Sequence, residues 1–309
     1  MKILREKSHA GPRVLALGMF DGMHRGHQEL IRRAARVARE AGVPLRVCTF
    51  DRHPLEVLRP EQAPQRLQTA REQAESIERL GAEELRVFPF TRETAALSPE
   101  AFLDLLAEEC DIRAIAAGWN YTFGCRGAGS AETLRHAGAA RGFEALIVPP
   151  VRDEDGETVS STAIREKLLS GDLPGANRML GAPYEISGTV VNGKHEGSRI
   201  GFPTANIRTE EHKLLPAFGV YACRMACGEE SWEAVVNIGT QPTLPSGQVT
   251  VEAHALGAHE NLYGQKARVN LLKYLRPEKR FDSVQALIAQ ITKDKEETKR
   301  FFQSGNASS

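Results

Sequence analysis

The chain has 309 residues, 41% hydrophobic and 26% charged, with 40 basic and 40 acidic side chains and a formal net charge of zero. That length accommodates two domains, each able to bury a core. The charge balance leaves no basic footprint for nucleic acid. No apolar run approaches the roughly 18 residues that cross a bilayer, and residues 1–7 precede no apolar core of a secretory signal. Five cysteines at irregular spacing suit a reducing compartment, so a cytoplasmic protein with no membrane, nucleic-acid or obligate protein partner is expected.

In chain order, the apolar run 14–17 reads as a buried strand. A turn follows with Gly18, Phe20, Asp21, Gly22, His24, Gly26 and His27. Residues 28–41 then repeat apolar side chains every three to four positions and stop at Gly42, as a helix does. A glycine-rich strand-to-helix turn lets backbone approach a ligand, and a helix start favours an anion. His24 and His27 lie three apart on the first helical turn, placed to donate to phosphate oxygens as their charge grows. Two other readings stay open on the residues alone. One is zinc, although no further His/Cys pair completes a site; the other is a helix cap with incidental histidines.

A second strand spans 44–50, followed by Asp51-Arg52-His53-Pro54, which is either a ligand-facing loop at a strand's carboxyl end or a plain turn. Helical patterns cover 69–80 and begin again at Ser98-Pro99, where Ser caps and Pro takes the first helical position. Further strands fall at 85–90, 114–118 and 145–148. Strands alternating with helices predict a doubly wound parallel α/β sheet. The stretch 118–129, with Asn120 and Phe123, suits a flat ring and a phosphate, or is an ordinary glycine-rich loop. Ser160, Ser161 and Thr162 precede a helix with Arg165 in its first turn. One hydroxyl suffices as a cap, whereas three with an arginine form a second anion cradle.

Beyond residue 183 the period changes. Strands at 184–191, 220–225, 232–238, 249–256 and 266–275, with no helices between them, predict a small antiparallel barrel, closed by a helix from Ser283 to about residue 302. Domains are therefore expected at 1–183 and 184–309. The densest stretch, 192–206, holds Gly193, Gly197, Arg199, Gly201, Pro203, Thr204 and Asn206. It reads either as a hairpin loop or as a phosphate-wrapping loop in which Thr204 and Asn206 offer oxygens to Mg²⁺.

Several of these motifs carry a resemblance. His-x-Gly-His after a first strand resembles the nucleotidylyltransferase superfamily. The longer run from Gly18 to His27 resembles the adenylyltransferase module of the prokaryotic bifunctional riboflavin kinase/FAD synthetase family. Ser160-Ser161-Thr162 with Arg165 is similar to the superfamily's triphosphate-holding motif. Gly201-Phe202-Pro203-Thr204-Ala205-Asn206 is similar to the riboflavin kinase signature, and Val251-Glu252-Ala253-His254 and Arg276-x-Glu278 follow in the family's order. The chain departs from the family's pattern at Met19, at Asn120, where an acidic residue is usual, and at 255–258, where an acidic residue is missing.

The resemblance implies a Rossmann-like nucleotidylyltransferase domain followed by a kinase barrel, with ATP as co-substrate and riboflavin, FMN and FAD as substrates or products. It implies catalytic roles for His24, His27, Arg165 and Glu252, the last as base. ATP would lie on Gly18, Phe20, Asp21, Gly22, Gly26, Ser160, Ser161 and Thr162 in one domain, and on Gly193, Gly197, Arg199, Gly201 and Pro203 in the other. Flavin would contact His53, Pro54, Asn120 and Phe123 in the first domain and Arg276 and Glu278 in the second, with Mg²⁺ on Thr204 and Asn206.

Overall fold

The computed structural model describes residues 1–7, 9–193, 201–240, 249–258 and 262–305. Contacts divide the chain into two compact units, Met1–Ser161 and Thr162–Ser309.

The first unit is the expected doubly wound α/β fold. Its strands are β1 (Lys2–Leu4), β2 (Ala10–Leu17), β3 (Leu45–Phe50), β4 (Glu84–Phe88), β5 (Cys110–Gly118) and β6 (Glu144–Val148). All pair in parallel, in the order β1-β4-β3-β2-β5-β6. The chain winds outward from β2 in one direction through β3 and β4, and in the other through β5 and β6. The switch point therefore lies between β2 and β5, where such sheets bind ligands.

Alternate strand residues face opposite sides. Val14, Ala16 and Val47 join Ile31 and Ala34 of α1 (Arg25–Glu40) in one core. Leu15, Leu17 and Ile115 join Phe102, Leu103 and Leu106 of α5 (Pro99–Ala107) in the other. The α5 start is the one its sequence predicts, with Ser98 capping Ala101 N–H and Pro99 at the first turn. Between β3 and α5 lie α2 (Pro54–Leu58), α3 (Ala70–Arg79) and α4 (Arg92–Ala96), and α6 (Ala131–Arg141) precedes β6. The sequence reading missed β1, α2, α4 and α6. Three of these are five residues or shorter, and α6 buries only Leu134 and Gly138, so it carries no apolar stripe.

One feature of the first unit is ionic. The Glu109 carboxylate accepts both forks of Arg86 at 2.8 and 2.6 Å and lies 3.7 Å from Arg46, whose Nε donates to Glu84 at 2.7 Å. Glu109, Arg46 and Arg86 are each at least 95% buried. A buried pair of this kind adds little net stability, but removing one partner strands the other charge.

In the second unit, α7 (Ser161–Ser170) and α8 (Leu173–Leu180) lead into six strands: β7 (Tyr184–Val191), β8 (Ala205–Thr209), β9 (Gly219–Cys227), β10 (Glu230–Thr240), β11 (Val249–Ala255) and β12 (Lys266–Arg276). They close in the order β10-β11-β8-β7-β12-β9, every pair antiparallel. Closure removes both sheet edges. Ile186, Tyr221, Cys223, Met225, Val236, Ile238, Val251 and Leu271 fill the interior. The helix α9 (Val284–Gln303) starts at the expected cap, Ser283, and packs on β10 and β9. The strand β8 was missed because it continues directly from a glycine- and proline-rich run.

The two neighbouring glutamates make a matched test. Glu109→Ala leaves the Arg86 guanidinium buried without its carboxylate, while Arg46 keeps Glu84, and is expected to cost about 3–5 kcal/mol in the urea unfolding of the first unit. Glu108→Ala removes only an exposed pair with Lys7 and should cost less than about 1 kcal/mol. Equal losses would contradict the assignment of the ionic core.

Candidate active sites

The first site is built by the turn between β2 and α1. Phe20, Gly22 and Met23 all adopt left-handed backbone, with φ of 52°, 85° and 40°. Two are not glycine, and such residues cost of order 1 kcal/mol or more unless their surroundings hold them. Here the surroundings do so. The Asp21 carboxylate accepts N–H groups from Leu67 and Gln68, each at 3.1 Å. The Met19 carbonyl accepts from Gln73 Nε2 at 2.7 Å and Thr49 Oγ1 at 3.2 Å. Ser161 Oγ donates to the Asp21 carbonyl at 2.8 Å. Gly22 has no substitute, because a Cβ there would stand 2.6 Å from Leu67 Cδ1 at a positive φ. Asp21 thus shapes the turn through the backbone N–H groups of Leu67 and Gln68.

The histidines sit where this turn becomes helix. His24 is the N-cap of α1, its Nδ1 accepting the His27 N–H at 3.3 Å. An accepting Nδ1 places the ring proton on Nε2, leaving that nitrogen as a donor. The His24 and His27 rings stack, centroids 3.6 Å apart and planes 18° from parallel, and the Phe20 ring meets His27 edge-on. Stacked rings do not converge their nitrogens on one ion, and among the described residues no group of three His, Cys, Asp or Glu is placed to hold a metal. His27 Nδ1 is buried, and among the described residues it has no hydrogen-bond partner. Burial lowers the His24 pKa to about 4, and burial followed by the charge of His24 holds His27 well below its ordinary value. Ser161 opens α7, on which Thr162 and Arg165 follow, so of the second cradle it is Ser161 that is seen to touch the first loop.

Beside this turn, at the carboxyl ends of β2 to β5, lies a cavity of about 270 Å³. Phe50, Phe88, Phe90, Phe102 and Phe123 give it an aromatic wall, and Pro54, Met19 and Arg126 also line it. His53 caps α2, its Nδ1 accepting from Leu55 N–H at 3.2 Å, which fixes the loop that presents Pro54. Asn120 is exposed and is not among the lining residues. Sequence reasoning did not single out Arg126, the charged residue in the lining; its only local signal is a neighbourhood of glycines.

The second site lies on the outer face of the barrel. On β11, Val251 and Ala253 point into the core, leaving Glu252 and His254 on the opposite face. Register sets Glu252 opposite Asn206 of β8 and Asn237 of β10. The Asn206 carboxamide lies against Gly193, where any Cβ would collide with it, and the Glu278 carboxylate lies against Gly239 in the same way. The Arg276 Nε and Nη2 donate to Asp294 of α9 at 2.7–3.0 Å, while its Nη1 donates to the Pro277 carbonyl at 3.1 Å. Its guanidinium ties β12 to α9. Gly201 and Pro203 are exposed beside Thr204. Gly197 and Arg199 lie outside the described residues.

A histidine-bearing helix start at the switch point of a doubly wound sheet defines the nucleotidyltransferase class, here joined in one chain to an antiparallel barrel. Comparison with known proteins makes this specific. The FAD synthetase family matches residues 6–163 and the riboflavin kinase family residues 180–302. The bifunctional riboflavin kinase/FMN adenylyltransferase of Listeria monocytogenes is 37% identical over 94% of this chain and 92% of its own length. That of Bacillus subtilis is 35% identical over 96% and 94%. A solved chain described as a macrolide-efflux protein from Streptococcus pneumoniae superposes with a TM-score of 0.88 at 32% identity, over 97% of this chain and 99% of that one. This chain belongs to the bifunctional riboflavin kinase/FMN adenylyltransferase family, with an FAD synthetase region followed by a riboflavin kinase region. Among the described residues no helix is long and apolar enough to cross a membrane.

The buried histidines give a pH dependence with a definite sign. Their folded-state pKa values lie below the ordinary 6.5, so between about pH 4 and 6.5 the unfolded chain binds more protons. The stability they contribute is complete above about pH 6.5 and is lost as pH falls. Urea unfolding of the first unit should therefore weaken between pH 7 and 5 by about 2 kcal/mol more in the native chain than in His24→Gln. Equal slopes would contradict the burial.

Proposed function

We propose that the region 1–183 transfers the AMP portion of ATP to FMN, and that the region 184–309 first makes that FMN by moving the γ-phosphoryl group of a second ATP to riboflavin. The observation that carries the first half is the stacked His24–His27 pair at a helix start, with the His24 ring proton left on Nε2 and the buried His27 Nδ1 without a hydrogen-bond partner among the described residues. Such a pair suits an oxygen anion better than a metal.

In the adenylyltransferase reaction the FMN phosphate attacks the α-phosphorus of ATP and pyrophosphate leaves, so no protein nucleophile is needed. Gly18, Phe20, Gly22 and Gly26 bring backbone close to the triphosphate, and Asp21 holds the loop in shape. Ser160, Ser161, Thr162 and Arg165 take the departing pyrophosphate. His24 and His27 stabilise charge at the α-phosphoryl group. Positioning and charge stabilisation carry most of the rate. The aromatic cavity takes the flavin ring between Pro54 and Phe123, with His53 fixing the loop that presents Pro54.

In the kinase reaction Glu252 removes the proton of the ribityl 5′-hydroxyl as it attacks the γ-phosphorus. Gly193, Gly197, Arg199, Gly201 and Pro203 form the nucleotide loop, and Glu278 holds the flavin, with Arg276 fixing that segment through Asp294. Thr204 and Asn206, the latter opposite Glu252, supply hard, neutral oxygen donors, a set that suits Mg²⁺. When bound, Mg²⁺ neutralises the phosphate charge. The five cysteines are free, in keeping with work in the cytoplasm.

The test is to incubate the protein with riboflavin, ATP and Mg²⁺ and resolve the flavins. FAD is expected, with FMN as its precursor. His27→Ala should leave FMN formation within about twofold and lower FAD formation by at least about 100-fold. Glu252→Ala should do the reverse when each reaction is given its own substrate, lowering FMN formation by about 100-fold or more. If either substitution stopped both reactions in a folded chain, the division of labour would be wrong.

A further inference from the structure

His254 lies two residues beyond Glu252 on the same face of β11, and nothing above gives it a task. Its Nδ1 lies 2.7 Å from the Pro203 carbonyl oxygen. A carbonyl only accepts, so Nδ1 carries the proton and donates it. The Phe202 ring meets the imidazole edge-on, with centroids 5.7 Å apart. Pro203 immediately precedes Thr204, and the register sets Glu252 opposite Asn206 and Ala253 opposite Ala205, so His254 follows on β11 where the partner strand begins. The imidazole therefore holds the segment that carries both oxygen donors. With Nδ1 protonated, a neutral ring has a lone pair at Nε2. That nitrogen is buried and, among the described residues, has no hydrogen-bond partner. Leaving a buried acceptor without a donor is unfavourable, so its place beside the segment of Thr204 and Asn206 calls for a ligand that supplies the donor.

Resting on the kinase reading of this face, we propose that His254 is a positioning residue with two tasks: Nδ1–H pins the Pro203 carbonyl and so places Thr204 and Asn206, and Nε2 accepts an O–H from the bound ligands. Two sources share that chemistry, a water carried by the metal ion and a hydroxyl of the flavin's ribityl chain. Neither task moves the transferred proton, which stays with Glu252.

The two nitrogens can be separated by substitution. His254→Asn keeps an N–H near the place of Nδ1 and removes the acceptor, whereas His254→Ala removes both. In the full-length protein, His254→Ala is expected to lower the kcat of FMN formation by about 100-fold, the scale of a catalytic group misplaced by about an ångström. FAD formation from supplied FMN should stay within about twofold. His254→Asn should recover kcat to within about fivefold of the native chain while half-saturation stays raised by about tenfold. That rise falls on Mg²⁺ if a metal-held water is the donor, and on riboflavin if the ribityl chain is.

A readout independent of turnover is ¹⁵N NMR of histidine-labelled protein, with the His254 resonance assigned by its loss in His254→Ala. Nε2 should report as an unprotonated nitrogen and shift when Mg²⁺, ADP and riboflavin are added together. The pin is overturned if His254→Ala stays within about twofold of native in kcat, or if His254→Asn is no better than His254→Ala. The acceptor role is overturned if His254→Asn has native half-saturation for both ligands, or if the Nε2 resonance does not move. Parallel loss of FAD formation would mean general damage and also overturn the proposal. A native chain that makes no FMN contradicts the kinase reading itself, a result distinct from any of these.

Discussion

The nucleotide end of the first unit depends on the hydrogen bonds of one residue, Asp21. Its carboxylate holds the backbone at Leu67 and Gln68, and its carbonyl receives the Ser161 hydroxyl. Three segments far apart in sequence therefore meet at one turn. The clamp lets Phe20 and Met23 remain left-handed at the turn from which α1 and both histidines start. A site arranged before its ligand arrives does not reorganise during the reaction, which is where electrostatic catalysis gains most. The same constraint accounts for the depressed histidine pKa values. The rings are buried against Phe20 and each other, and charge on them becomes favourable only when an anion shares the space.

The second unit solves a similar problem without a helix start. Its barrel core is complete from inward-facing residues, which frees the outer face of β8, β10 and β11 to carry polar side chains in register. Asn206, Glu252 and Asn237 form a row across three adjacent strands, and a hydrogen-bonded lattice fixes that row more rigidly than a loop would. Glycine is required at two positions because polar side chains lie directly against the backbone, Asn206 at Gly193 and Glu278 at Gly239. Arg276 anchors α9 through the nearly buried Asp294, so the segment leading to Glu278 is fixed from behind.

Much of this architecture is legible in the sequence. The parallel sheet follows from apolar runs alternating with helical periods, and the barrel follows from strands that succeed one another without helices. The caps at Ser98 and Ser283 are visible as single residues. What stays hidden is hidden for physical reasons. Three-residue β1 is too short for any period, and β8 emerges from a run that looks like loop. The Arg46, Arg86 and Glu109 cluster reads as solvated charge, because only the three-dimensional pairing of β3, β4 and the residue before β5 reveals that it is buried. At the turn, the glycines and the helix start are legible from residue types and spacing around His24 and His27. The hydrogen bonds of Asp21 to residues 67 and 68 depend on chain crossing that no local pattern encodes. His254 was legible only as part of a family motif, since its contact with Pro203 spans 51 positions.

The central claim is that one chain uses two ATP molecules at two different phosphorus atoms. Labelled ATP tests this most directly. With riboflavin as the starting flavin, γ-³²P should appear in FMN and persist into FAD, whereas α-³²P should enter FAD and never FMN. Finding α-label in FMN, or finding FAD that carries α-label but no γ-label, would contradict the account.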